Sequence, residues 1–198
     1  AVEVNTPAPE VVAAAVRTLE EAPGARTFLL LHLLEPAPRG HPARSQGREA
    51  YAGHVAEADA AFGQLVVALQ AAGRYEGAMI VVTSDHGSPL APGSPSNAML
   101  REETIRIPLI VKLPGGEWAG ARASWQVRSI DIAPTLLSLL GGEVPEMMTG
   151  VPLGEADDDR ARFAFTIARV GAIQSVRQGD LKLIFSWGAK DGGRVEVA

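Results

Sequence analysis

The chain contains no cysteine. That absence excludes disulfides, thiolate metal sites and a cysteine nucleophile carried by these residues. Aromatic residues make up only 5% of the sequence. Trp118, Trp125 and Trp187 are too widely spaced to form a base-stacking platform. No basic stripe is present and the formal net charge is −5, so nucleic acid is not an expected partner. Long hydrophobic runs are missing too. The longest, Phe28–Leu34, is far shorter than the ~20 residues a spanning helix needs, and no transmembrane segment is expected. The opening Ala1-Val2-Glu3-Val4-Asn5 has neither the basic region nor the apolar core of a secretory signal. If the chain is a fragment, any such signal lies upstream.

What is present is ordinary α/β composition: 198 residues, 46% hydrophobic, enough for a domain with a real core. The acidic cluster Glu155, Asp157, Asp158 and Asp159 reads as a solvated loop. Val11, Val12, Ala15, Val16 and Leu19 recur on one helical face, which predicts a helix from about Pro9 to Ala22, begun at Thr6 or Pro7 and ended by Pro23-Gly24. Thr27–Leu33 is an unbroken apolar run and predicts a strand buried on both faces, with His32 a core histidine. Val55, Ala58, Phe62, Leu65, Val66 and Leu69 predict a second helix over about 53–72, closed by Gly73. His54 falls on its surface, and Asp59 is expected to pair inside the core.

Further strands are expected over Ala78–Thr83 and Ile107–Leu113, the latter closed by Pro114-Gly115-Gly116. Asp131 is expected to cap a short helix, Ile132–Leu140. Beyond it, Arg162–Arg169, Ala172–Arg177 and Asp180–Ser186 read as an antiparallel meander with a hairpin at Gln178-Gly179. The resulting fold class is α/β: a sandwich with a mostly parallel central sheet over residues 1–150, followed by a small C-terminal antiparallel meander over 151–198.

In open α/β sheets, ligands sit beyond the carboxyl ends of the strands. Two polar clusters fall there: Glu35 with His41, and Asp85 with His86. The second is the sharper. An apolar strand that delivers a carboxylate and an imidazole, followed by Gly87, supplies an anionic oxygen and a nitrogen to one metal ion. Asp, His and Gly also gather at strand ends for conformational reasons alone, so the tripeptide leaves both readings open. Arg101 is the nearest cation after the loop Ser88–Asn97, and a surface or salt-bridged role beside Glu102 and Glu103 fits it as well. Lys112, at the end of its strand, either faces the site or snorkels.

Several segments in order resemble the sulfatase family of the alkaline phosphatase-like superfamily, specifically the later half of its catalytic domain. They are Thr27–Pro36 (TFLLLHLLEP), Tyr51–Asp59, Ile80–Gly87 (IVVTSDHG), Glu103–Gly115 (ETIRIPLIVKLPG), Val127–Gly141 and Ser175–Ile184. The resemblance implies an alkaline phosphatase-like sandwich and metal-dependent hydrolysis of sulfate esters. It implies a divalent cofactor, usually calcium, with zinc or manganese as alternatives, and Asp85 and His86 as metal ligands. It implies a periplasmic, secreted or membrane-anchored parent protein.

The departures are equally specific. The nucleophile motif C-x-P/A-x-R is absent, and so are the early paired carboxylates. Both are expected upstream, in another half of the same domain, and this chain alone is expected to show little turnover. Glu35 stands where the family has Asp, and Ala37 where it has His. The loop Ser88–Asn97 lacks the usual His or Lys. No residue here is the nucleophile; His41, Arg101 and Lys112 are the candidate catalytic groups. Two other readings follow. A degenerate relative would bind rather than catalyse, and a phosphodiesterase or phosphoethanolamine transferase-type relative would act on phosphate esters.

Overall fold

The computed structural model describes residues 6–34, 47–87, 100–125, 127–155, 162–168, 171–188 and 192–197. The chain divides into two compact units, Ala1–Ala98 with Glu102–Ala119, and Met99–Arg101 with Gly120–Ala198.

The first unit is built on two helices, α1 (Ala8–Glu21) and α2 (Gly47–Ala71). Ala8, Val12, Ala15 and Leu19 of α1 bury against Ala61, Leu65 and Leu69 of α2. The spacing is the 3.6-residue stripe that the sequence carries, and alanines at the contact let the helix axes approach. Each buried Val or Leu contributes roughly 1.5–3 kcal/mol. Val55, at 42% exposure, falls off the expected stripe. Asp59 is exposed rather than paired in the core. The bonds that hold the end of α2 include Gly73 N–H to Gln70 O at 3.0 Å and Arg74 N–H to Leu69 O at 2.8 Å. That closure needs a left-handed residue, and Gly73 supplies φ +66°.

The run 27–33 does not form the doubly buried strand expected of it. It is extended but outside both sheets. Leu29, Leu31 and Leu33 pack on the helix core, while Phe28 and Leu30 are 79% and 87% exposed and His32 is exposed. An unbroken apolar run has no alternation to reveal a bare face; among the described residues of this unit, the helix pair covers one side.

Strands β1 (Ile80–Thr83) and β2 (Leu109–Lys112) pair antiparallel, Ile80 opposite Lys112 and Thr83 opposite Leu109. The mostly parallel sheet expected from the strand–helix alternation is therefore not what these strands form. A parallel return needs a long crossover, usually helical. The described part of this connection holds only α3 (Glu102–Ile105), one helical turn, and the chain re-enters the ladder from the end at which it left.

In the second unit, a 3₁₀ turn over Ser129–Asp131 leads into α4 (Ile132–Leu139). Asp131 is 0% exposed, but its side chain does not cap α4 as expected. One carboxylate oxygen accepts the Arg128 backbone N–H at 2.8 Å. The other accepts the Arg128 guanidinium at 3.2 Å and the Val151 N–H at 3.1 Å. Thr135 Oγ donates to Asp131 O and accepts from Leu153 N–H at 2.9 Å. Gly150 closes against this knot so tightly that a Cβ would lie 2.0 Å from Ile130 O.

The meander has four strands, β3 (Arg162–Ala168), β4 (Gly171–Gln178), β5 (Leu181–Gly188) and β6 (Gly192–Val197), in sequential antiparallel order. The hairpin expected at Gln178-Gly179 lies one residue later. Gln178 pairs with Leu181, and Gly179, at φ +55°, with Asp180 makes the turn. Ile173, Ser175, Lys182 and Ile184 are buried, and Lys182 Nζ donates to Leu100 O.

Burial pushes the Asp131 carboxyl up, but hydrogen bonds from the Arg128 and Val151 amides, then the Arg128 guanidinium and its charge, outweigh it. The net pKa is lowered from 3.8. A depressed carboxylate contributes stability that is complete above its unfolded value and lost as pH falls through the folded one. Asp131→Ala is expected to cost about 3 kcal/mol at neutral pH by stranding the Arg128 charge. It should also flatten the acid side of the Tm-against-pH curve. Thermal circular dichroism from neutral pH to roughly pH 3 checks both.

Candidate metal site at the end of strand β1

Strand β1 is a short, half-buried run whose last residue is exposed, and Ser84-Asp85-His86-Gly87 follows it. Asp85 and His86 side chains are each 68% exposed. Asp85 Oδ1 accepts the His86 backbone N–H at 2.8 Å. His86 Nδ1 lies 2.8 Å from Gly87 O. A carbonyl only accepts, so Nδ1 carries the proton, and the neutral ring presents the lone pair of Nε2. Nε2 and the second Asp85 oxygen, Oδ2, lie 3.7 Å apart. Two electron-rich atoms at that separation repel unless a cation joins them or the ring takes a second proton. Donors bonded to one ion at about 2.0–2.5 Å are themselves separated by roughly 3–4 Å, so the pair fits a shared divalent ion. Among the described residues no group of three or more His, Asp or Glu is placed to hold a metal.

Both sides of this turn are braced. Thr83 Oγ donates to Pro108 O at 3.0 Å, just ahead of β2. On the far side Gly87 N–H donates to Thr104 O in α3 at 2.6 Å. A Cβ on Gly87 would meet Glu103 O at 2.2 Å. Glycine is required here by the closeness of another backbone, not by an unusual φ. The sequence marked Gly87 as the residue that lets the chain turn; the partner that forbids a side chain, a carbonyl sixteen residues on, has no local signal.

Of the other candidates, Lys112 is placed away from the pair. Lys112 stands opposite Ile80, at the far end of the ladder from Asp85. Its ammonium donates to Tyr75 O, Glu76 O and Ala78 O at 2.5, 2.9 and 3.0 Å, and it lies 4.7 Å from the Tyr75 ring centre. All three of its donors are engaged, so it clamps the α2–β1 connection and is no site cation. The antiparallel register is what turns its end of β2 away. Arg101 is half-buried in the second unit. His41, Glu35, Ala37 and the loop 88–97 lie outside the described residues. His54 is 3.4 Å from Glu57 along α2. Arg106 went unremarked in the sequence. It is exposed on the stretch between Thr104, which holds Gly87, and Leu109, which faces Thr83.

The sulfatase family model matches residues 4–142, more than half of the chain. The chain belongs to the sulfatase family. It is 31% identical over 146 residues to the multifunctional alkaline phosphatase superfamily protein PehA of Trinickia caryophylli, a match covering 66% of this chain and 28% of that protein. The crystal structure of Ps i-CgsB in complex with k-i-k-neocarrahexaose superposes with a TM-score of 0.73 at 21% identity, covering 98% of this chain and 49% of that one. The phosphonate monoester hydrolase of Agrobacterium radiobacter gives 0.73 at 18% identity, covering 100% and 56%. The fold is alkaline phosphatase-like, and this chain spans about half the length of the solved structures it matches.

Lys112→Met should cost about 2 kcal/mol by leaving three carbonyls without their charged donor, while Mn²⁺ affinity stays within about threefold, because the clamp is at the other end of β1. Denaturant unfolding and a metal titration on the same preparations test this. Gly87→Ala should do the reverse. It should spare the α1–α2 core, seen by far-ultraviolet circular dichroism, and weaken Mn²⁺ binding by about tenfold or more as the turn is pushed off Glu103.

Proposed function

We propose that this chain contributes Asp85 and His86 to the divalent-ion site of a sulfatase-type hydrolase acting on sulfate esters. The observation that carries the reading is the pair of spare donors, Asp85 Oδ2 and His86 Nε2, 3.7 Å apart at the end of β1 in a chain of this family. A divalent ion held there by Asp85 and His86 would supply Lewis-acid polarisation of the ester's oxygens. The residues of this chain hold and orient it. Asp85 brings the anionic oxygen, His86 the nitrogen lone pair, and α3 the brace behind Gly87.

The family resemblance favours calcium, and the nitrogen donor admits zinc or manganese. The C-x-P/A-x-R nucleophile motif does not occur in the sequence. The nucleophile, and the carboxylates that complete the ion's shell, belong in this reading to a segment outside these residues. Within the site, His86 rather than an oxygen donor beside Asp85 favours the phosphate-ester reading, since it suits zinc-type phosphoryl chemistry.

Asp85→Asn in the natively purified protein, with any companion segment retained, should lower aryl sulfate hydrolysis by about 100-fold or more. Full activity in the variant would sink the metal-site reading, whereas no hydrolysis by the wild type would favour a non-catalytic binding role. Parallel rates on aryl sulfate and aryl phosphate with calcium, zinc or manganese choose between the two ester classes. Peptide mapping for a formylglycine derived from Cys or Ser shows whether a companion segment carries the nucleophile.

A further inference from the structure

Asp85 and His86 are adjacent in sequence, which poses a geometric problem. In an extended strand neighbouring side chains point to opposite faces, so consecutive residues cannot serve one ion. The backbone must leave the strand between them. Three contacts accomplish this. The Asp85 carboxylate takes the His86 N–H, and the His86 ring donates to Gly87 O. Between the strand and both donors, Ser84 Oγ donates to His86 O at 2.7 Å. That hydroxyl spans the pair. It bonds the backbone two residues on and closes the tight local turn for which serine side chains are suited. The outcome is visible in the 3.7 Å between Asp85 Oδ2 and His86 Nε2.

We propose that Ser84 is a positioning residue for this donor pair, touching neither ion nor substrate but fixing the turn that brings Oδ2 and Nε2 to one side. The inference rests on the metal-site reading above. Without the hydroxyl, His86 O turns to water, the segment relaxes toward the extended strand that precedes it, and the donors diverge. Groups that orient metal ligands in this way typically change affinity by about 10–100-fold when removed.

The test uses the natively purified protein and Mn²⁺ alone as probe, with binding followed by electron paramagnetic resonance. The imidazole nitrogens of His86 are followed separately by NMR without metal. Ser84→Ala should weaken Mn²⁺ binding by about tenfold or more and remove the Nδ1-protonated form as the dominant tautomer, with unchanged circular dichroism. Ser84→Thr, which keeps the hydroxyl, should restore both. A purely structural serine would not show tautomer loss with rescue by threonine. If Asp85→Asn abolishes Mn²⁺ binding while Ser84→Ala leaves affinity and tautomer as in the wild type, the positioning role is overturned and the metal site stands. If Mn²⁺ binding is indifferent to Asp85→Asn, the site reading fails and the inference falls with it.

Discussion

The antiparallel ladder between β1 and β2 fixes what each end of the first unit can do. Only four residue pairs define it, from Ile80 opposite Lys112 to Thr83 opposite Leu109. At ~3.3 Å per residue, its two ends lie roughly 10 Å apart. One end is cationic and closed, where Lys112 spends its ammonium on three carbonyls. The other is open and presents Asp85 and His86. A ladder this short is marginal by itself. It is supported by Ile80 against the helix pair and by two local devices, the lysine clamp at one end and the glycine contact with α3 at the other. A parallel register would have carried Lys112 to the Asp85 end and given the site a different electrostatic character.

Two aspartates show how environment separates structure from chemistry. Asp131 is 0% exposed, and both of its oxygens are taken, by two backbone amides and a guanidinium. Nothing is left for a ligand, and the carboxylate holds the entry to α4. Asp85 is 68% exposed, and its hydrogen bond is the one Oδ1 accepts from the neighbouring amide. Its Oδ2 faces His86 Nε2 at 3.7 Å, an ion pair when the ring is doubly protonated. Burial with full satisfaction organises a core; exposure with one unmatched lone pair leaves a group available for an ion. The same accounting leaves every Lys112 donor engaged and places His86 Nε2 beside Asp85 Oδ2.

Helical elements were legible in the sequence because their period is local. Val11, Val12, Ala15 and Leu19 gave α1 within a residue at each end, and Gly73 marked the stop of α2, whose start lies at Gly47 rather than near residue 53. The family was legible because the segments that carry it are contiguous, and so was the place of Asp85 and His86 just after β1. What the sequence hid depends on residues distant along the chain. Strand direction is one case: Leu109–Lys112 reads the same whether it runs parallel or antiparallel to β1. The bare side of 27–33 is another, since an unbroken apolar run carries no mark of which side is covered. Asp131 was read as a local cap, but its partners include Val151. Strand β6 was missed although Arg194-Val195-Glu196-Val197 alternates as a strand does, because Gly192-Gly193 reads as loop.

The charge available at the Asp85 end bears on the ester class. A sulfate monoester carries one negative charge, and a phosphate monoester approaches two near neutral pH. Binding the second charge out of water demands further cations, since each unpaired charge in a dry site costs several kcal/mol. The stretch that braces the donor pair, from α3 into β2, carries one exposed basic side chain, Arg106. The loop Ser88–Asn97 that follows the pair contains no Lys, Arg or His. Asp85 itself cancels one charge of a divalent ion, leaving about one net positive charge before further ligands are counted. Each further carboxylate in the ion's shell lowers that balance, so even a singly charged ester would draw on cations from outside these residues. A doubly charged one would need additional cations from outside these residues, so the basic groups of any companion segment, more than the identity of His86, decide between sulfate and phosphate.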